Sequence, residues 1–150
     1  MSATVHEGLE HAYRAAVIGR DEGGVPIGSA LMHEGRVIAT GYNRRVQQDS
    51  ATRHAEVDCV EQAGRLPSAV YREATLYTTL SPCYMCAGTI VHHRIPRVVI
   101  GENRTYSETE EWLRSHGVEV LVVDDPACRD LMERFATENP ELWAEDSGRE

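Results

Sequence analysis

Four side chains in this 150-residue chain have the types and spacing of a metal centre with a base beside it: His54, Glu56, Cys83 and Cys86. In Ser81-Pro82-Cys83-Tyr84-Met85-Cys86 the two thiols stand three residues apart, which puts both sulfurs on one face of a helix. Ser81 is a good N-cap and Pro82 suits the first helical position. The sequence therefore predicts both thiols in a first helical turn, where unpaired N–H groups and the helix dipole favour thiolates. Thiolates so placed suit a soft divalent metal, zinc above all. A Cys-x-x-Cys pair alone also fits redox chemistry. The upstream Arg53-His54-Ala55-Glu56 favours the metal, because His54 supplies a third ligand and Glu56 a base.

Three protein ligands leave one zinc position open, as catalysis requires. Zinc brings the pKa of bound water to about 7, and Glu56 can take that proton and redeliver it. This chemistry suits hydroxide attack on an amine-bearing aromatic carbon with loss of ammonia. A structural zinc would need a fourth ligand. Cys59 lies well inside the helix that His54 begins, and His92 and His93 lie about two turns beyond Cys86, out of reach of a metal at the helix start.

The elements that position these residues follow from periodicity. Residues 5–21 read as an amphipathic helix ended by Gly23-Gly24, with His6 and His11 as surface or packing residues. Val25–Met32 and Val37–Tyr42 read as a hairpin across the turn at 33–36. Asn43 opens a polar loop, a setting in which Asn usually serves backbone turns. A helix from near Arg53 to Ala63 follows, then a linker at 66–68. The buried-looking strand 74–80 delivers the chain into the cysteine motif. Beyond it come a strand at 97–101, a polar loop with Tyr106, a helix through Trp112, an apolar strand at 118–123 and a helix from Pro126. The acidic tail, 138–150, reads as solvated, with Trp143 as a mild counter-argument. Strands alternating with helices predict an α/β domain with helices on both faces of one mixed sheet.

Composition bounds the rest. The chain carries 24 acidic residues against 15 basic ones, all arginine, for a formal charge of −9. That balance argues against a broad nucleic-acid footprint. No apolar run approaches the roughly 20 residues of a membrane span, and the N-terminus lacks a signal-peptide layout, so a cytoplasmic location is expected. Cys59 and Cys128 are expected as buried free thiols.

His-x-Glu followed by Pro-Cys-x-x-Cys is a signature of zinc-dependent nucleobase deaminases. Over nearly its whole length the chain resembles the yeast-type cytosine deaminases of the cytidine-deaminase-like superfamily. The resemblance rests on residues 22–28, Gly41-x-Asn43, His54-x-Glu56, 75–86, Gly101-Glu102-Asn103, Val122-Val123-Asp124-Asp125 and Pro140-x-x-Trp143-x-Glu145-Asp146. It implies one zinc-dependent deaminase domain over 1–150, a three-layer α/β/α sandwich with a mixed five-stranded sheet, and a homodimer. It implies hydrolysis of cytosine to uracil and ammonia in pyrimidine salvage, with one zinc per subunit on His54, Cys83 and Cys86. Zinc-bound hydroxide would attack C4 while Glu56 shuttles protons. Asn43, Asp146 and the Ser81 carbonyl would bind the pyrimidine, Ala55 would lie beside it, Tyr106 and Trp143 would cover it, and Ile27 and Leu80 would wall it. Ala55 and Tyr84 stand where the family has glycine and aspartate, and Tyr106 where it has phenylalanine. Another small amino-heterocycle (guanine, isocytosine, an aminotriazine) is the alternative substrate. A tRNA adenosine deaminase and a zinc-stabilised binding module stand further off.

Overall fold

A computed structural model describes residues 3–149. The first helix, α1 (Ala3–Asp21), leads to the hairpin β1 (Gly28–His33) and β2 (Arg36–Tyr42). Next come α2 (Arg45–Gln48), α3 (Ala55–Ala63), α4 (Ser68–Arg72), β3 (Thr75–Leu80) and α5 (Tyr84–His92). The chain closes with β4 (Arg97–Glu102), α6 (Glu110–Ser115), β5 (Glu119–Val122), α7 (Pro126–Glu138) and α8 (Pro140–Asp146). The sheet order is β2-β1-β3-β4-β5. β1 pairs antiparallel with β2 and β3, while β3–β4 and β4–β5 are parallel, so the sheet is mixed as expected.

Strand alternation sends neighbouring side chains to opposite faces. Leu31, Leu76, Val98 and Ile100 bury on one face with Cys59 of α3, Ile90 of α5 and Leu113 of α6. Ala30, Met32, Tyr77 and Val99 bury on the other with Val5 and Leu9 of α1 and Cys128 of α7. This is the three-layer sandwich. A third cluster, Val25, Ile27, Ala55, Leu80, Tyr106, Met132 and Phe135, caps one end of the sheet with Leu142 and Trp143 against it. Cys59 and Cys128 are free and buried, and burial pushes the Cys59 thiol up to about 12. No described helix is long and apolar enough to cross a membrane.

Several boundaries differ from expectation, each for a local reason. β1 begins at Gly28 rather than Val25, because the Ile27 N–H turns back onto the Val25 carbonyl and Pro26 has no donor to give a ladder. The polar stretch after Asn43 contains α2, started by the Asn43 Oδ1, which accepts from the Arg45 N–H at 3.0 Å. The stretch read as a linker runs on into α4, and the tail contains α8. β5 is an edge strand only partly buried, although its sequence reads as an apolar strand. The cysteine helix starts two residues later than predicted, with Cys83 at the N-cap and Tyr84 as its first residue. Ser81 is no cap: it stays extended before Pro82 and its hydroxyl donates to Glu110 at 2.7 Å.

Candidate active site

The two parallel strands β3 and β4 end side by side, with Leu80 opposite Glu102. Open α/β sheets bind ligands in the crevice beyond such carboxyl ends. Two helices point their N-termini into this crevice. His54 is the N-cap of α3 and Cys83 the N-cap of α5, both with extended backbone. Their depth is set partly by Gly41 on β2: a Cβ there would lie 2.3 Å from the Cys59 nitrogen of α3. Only glycine lets α3 sit this close to the strand.

His54 Nδ1 lies 3.4 Å from Cys83 Sγ and 3.6 Å from Cys86 Sγ. Sulfurs and a nitrogen bonded to one tetrahedral zinc at ~2.3 and ~2.05 Å would stand about 3.5 Å apart. His54, Cys83 and Cys86, whose donor atoms all fall within 4.8 Å of one another, therefore fit zinc in ligand type and spacing. The same three groups compete for protons. Cys83 is drawn down to about 4 by the Cys86 thiol and by His54, against its burial, and Cys86 is pushed well above its ordinary value. Burial disfavours charge on His54, but the Cys83 sulfur and the Asp146 carboxylate outweigh it and raise the imidazole to about 9. Zinc binding would displace these protons.

Glu56 is buried and lines the cavity beside His54 and Cys83. Burial, then the Cys83 charge, raises its carboxyl to about 7, the range a proton shuttle needs near neutrality. Ala55 lies between it and His54. Ile27 and Leu80 form apolar walls, and Ser81, Tyr106, Trp143 and Asp146 complete the lining of the cleft. The Tyr106 and Trp143 rings meet edge to face, 6.4 Å apart. The N–H and hydroxyl of Ser81 are both engaged, by the Glu102 carbonyl and by Glu110.

Asn43 is the one substrate contact expected from sequence that does not line the cavity. It is fully buried and donates to both Asp146 oxygens, at 3.1 and 3.3 Å. Its Oδ1 accepts from the Arg45 N–H, so both ends of its amide are engaged in holding Asp146 and the start of α2. Cys86 also lies behind the lining, as a metal ligand can.

Sequence reasoning missed Arg45. Its Nη1 donates to Asp146 at 2.9 Å, and its two Nη atoms hold Glu145 at 2.9 and 2.7 Å. This fork fastens α8 over the crevice from 100 residues away in sequence. The Asp146 Oδ2 also lies 3.5 Å from His54 Nε2, the ring nitrogen opposite the two sulfurs. A carboxylate there fixes the ring orientation of a metal-binding histidine. Arg149 stacks over Tyr106 at 4.5 Å, a further tie on the same segment. Ser147, also unforeseen, adds to the lining.

The loop that presents His54 is anchored by Asp58, whose buried carboxylate accepts from the Tyr42 N–H and from the Nε atoms of Arg44 and Arg53 at 2.8–3.0 Å. Burial alone would raise the Asp58 pKa; the two guanidiniums and the N–H overrule it and hold it lowered. A lowered pKa contributes stability that is fully present above the unfolded value and is lost as pH falls through the folded one. Asp58→Ala is expected to cost about 2–3 kcal/mol, below the usual range for breaking a buried pair because both arginines can rehydrate. Thermal melts at neutral pH check this. The deficit should shrink as the pH drops below the ordinary aspartate range, and a pH-independent deficit would count against the charge network.

A three-layer α/β/α sandwich that presents His, Cys and Cys with a buried carboxylate at two helix N-termini defines a zinc hydrolase centre of the nucleobase-deaminase class. The chain belongs to the family described as the cytidine and deoxycytidylate deaminase zinc-binding region, which matches residues 3–102. It is 44% identical over 143 residues to a cytosine deaminase of Candida albicans, covering 95% of each chain. It is also 37% identical to a tRNA-specific adenosine deaminase of Bacillus subtilis, over 62% of this chain and 58% of that one. A solved structure from studies of A-to-I editing by tRNA:A34 deaminases superposes with a TM-score of 0.73 at 30% identity, covering 84% of this chain and 99% of that one.

Proposed function

We propose that the chain hydrolyses cytosine to uracil and ammonia, with all 150 residues acting as one deaminase domain. The similarity to the Candida albicans cytosine deaminase carries this reading, because at 95% of the chain it runs on into the segment that encloses the cavity with Trp143 and Asp146. The match to the Bacillus subtilis tRNA deaminase stops at 62%.

Zinc held by His54, Cys83 and Cys86 supplies Lewis-acid activation of water. Glu56 takes one proton of the attacking water and passes it to the ring nitrogen beside C4, then takes the hydroxyl proton of the tetrahedral carbon and delivers it to the amine as the C4–N bond breaks. One water is consumed and one ammonia leaves. Asp146 accepts a hydrogen bond from the exocyclic amine, with the Ser81 carbonyl as second acceptor. Asn43 and Arg45 act through Asp146 by fixing its carboxylate. Tyr106 and Trp143 cover the ring, and Ile27 and Leu80 give it apolar walls. The working form is a homodimer in the cytoplasm, serving pyrimidine salvage.

Asp146→Ala tests the assignment of the tail. The expected result is a loss of about 10²–10³ in kcat/KM for cytosine with zinc still bound, since a site built to hydrogen-bond a substrate N–H loses heavily without its partner. Unchanged kinetics would remove Asp146 from the substrate contacts and leave the tail without a role in recognition.

A further inference from the structure

We propose that a second cavity, between the α3–α4 connection and the C-terminal end of α5, binds a small polyphosphate-bearing ligand of the nucleotide class. Arg65, Arg72, Arg94, His92 and His93 line this open hollow of about 880 Å³, with Tyr71 at its base. No described Asp or Glu lines it. It shares no lining residue with the deaminase cavity. The two lie towards opposite ends of α5, whose nine residues span about 13 Å.

The arginine pairing makes the case. Ten of the fifteen arginines are in ion pairs among the described residues. Of the five that are not, three are Arg65, Arg72 and Arg94, gathered around this one hollow. The other two stand apart: Arg36 is on the β1–β2 hairpin, and Arg134 lies among Asp130, Glu133 and Glu138. In a chain of net charge −9, carboxylates are abundant, yet none lines this hollow, which three arginines share. A multivalent anion would supply the charge partner that these three lack. Guanidinium planes match phosphate oxygens in bidentate pairs, so phosphate fits better than a lone carboxylate.

The histidines extend the same chemistry. His93 Nδ1 donates to the Thr89 carbonyl at 2.9 Å, which leaves Nε2 as its remaining polar atom. Its ring lies 5.0 Å from Tyr71 and 5.0 Å from His92. This aromatic group beside the arginines suits a base or ribose next to the phosphates. The concave shape and the acidic remainder of the chain favour a compact ligand over a long nucleic-acid strand, whose binding needs an extended basic face.

Titration calorimetry of the full zinc-loaded protein with inorganic tripolyphosphate at low ionic strength tests this. The expected result is saturable binding at one site per chain, weakened by salt. Arg65→Ala/Arg72→Ala/Arg94→Ala should reduce affinity by at least about tenfold, given the strength of charge-assisted contacts. Arg36→Ala/Arg134→Ala should leave it within about twofold, because bulk charge alone is screened. All five arginines are exposed, so melting temperatures of the variants should match the parent. Absence of saturable binding would overturn the proposal, as would equal affinity in the triple variant or an equal loss in the control pair. Tighter binding of a single-stranded RNA oligomer through the same three arginines would also overturn it, in favour of a nucleic-acid surface.

Discussion

Glu56→Gln is expected to lower kcat for cytosine by about 10³–10⁴-fold, the scale of a lost general acid and base, while leaving zinc content unchanged. Glu56 is buried at the N-terminus of α3 and faces the cavity next to His54 and Cys83. Its carboxyl sits at about 7, mainly because burial disfavours the charge. The amide has the same shape and no charge to bury, so the variant should melt at the parent temperature or higher. Single-turnover kinetics with metal analysis separates these effects. Retention of more than about a tenth of the activity would exclude Glu56 as the shuttle, since acid–base catalysis contributes at least a hundredfold.

Cys86→Ala should remove the metal and with it all measurable turnover. Cys86 is fully buried, its sulfur 3.6 Å from His54 Nδ1. Losing it leaves two protein ligands where catalytic zinc uses three. Zinc per chain should fall from about one to near zero after dialysis, because a three-ligand site is the minimum that holds catalytic zinc. The melting temperature should fall too, since binding energy at a site absent from the unfolded chain is folding energy. A variant that keeps stoichiometric zinc would show that another group completes the site.

Much of this site was legible in the sequence, for identifiable reasons. His54, Glu56, Cys83 and Cys86 stand out because ligand chemistry demands those residue types, and short spacing ties each pair to one helix end. The alternating strands and helices gave the layers directly. The exact cap was not legible: Ser81 had every local sign of an N-cap, but a hydrogen bond to Glu110 across 29 residues takes its hydroxyl. Cys83 takes the position instead, and both thiols still sit at the N-terminal end of the helix. Arg45 left no signal at all, since its partners Glu145 and Asp146 lie 100 and 101 residues away. Asn43 was expected through resemblance to bind the pyrimidine; its bonds to the Arg45 N–H and to Asp146, the latter 103 residues away, left no mark in the sequence. The tail looked solvated by composition. Its order comes from tertiary contacts, above all the Arg45 fork and the Trp143–Tyr106 contact.

The most direct measurement is ammonia release by the purified, zinc-loaded protein with cytosine, run beside cytidine, guanine, isocytosine and adenosine. The account predicts turnover of cytosine and none of cytidine, because the similarity to a cytosine deaminase runs over 95% of the chain and Trp143 and Asp146 of the tail line the cavity. Silence with cytosine, alongside release from one of the other amines, would contradict the assigned substrate and place the cause in Ala55 or Tyr106, the two lining residues that depart from the family pattern.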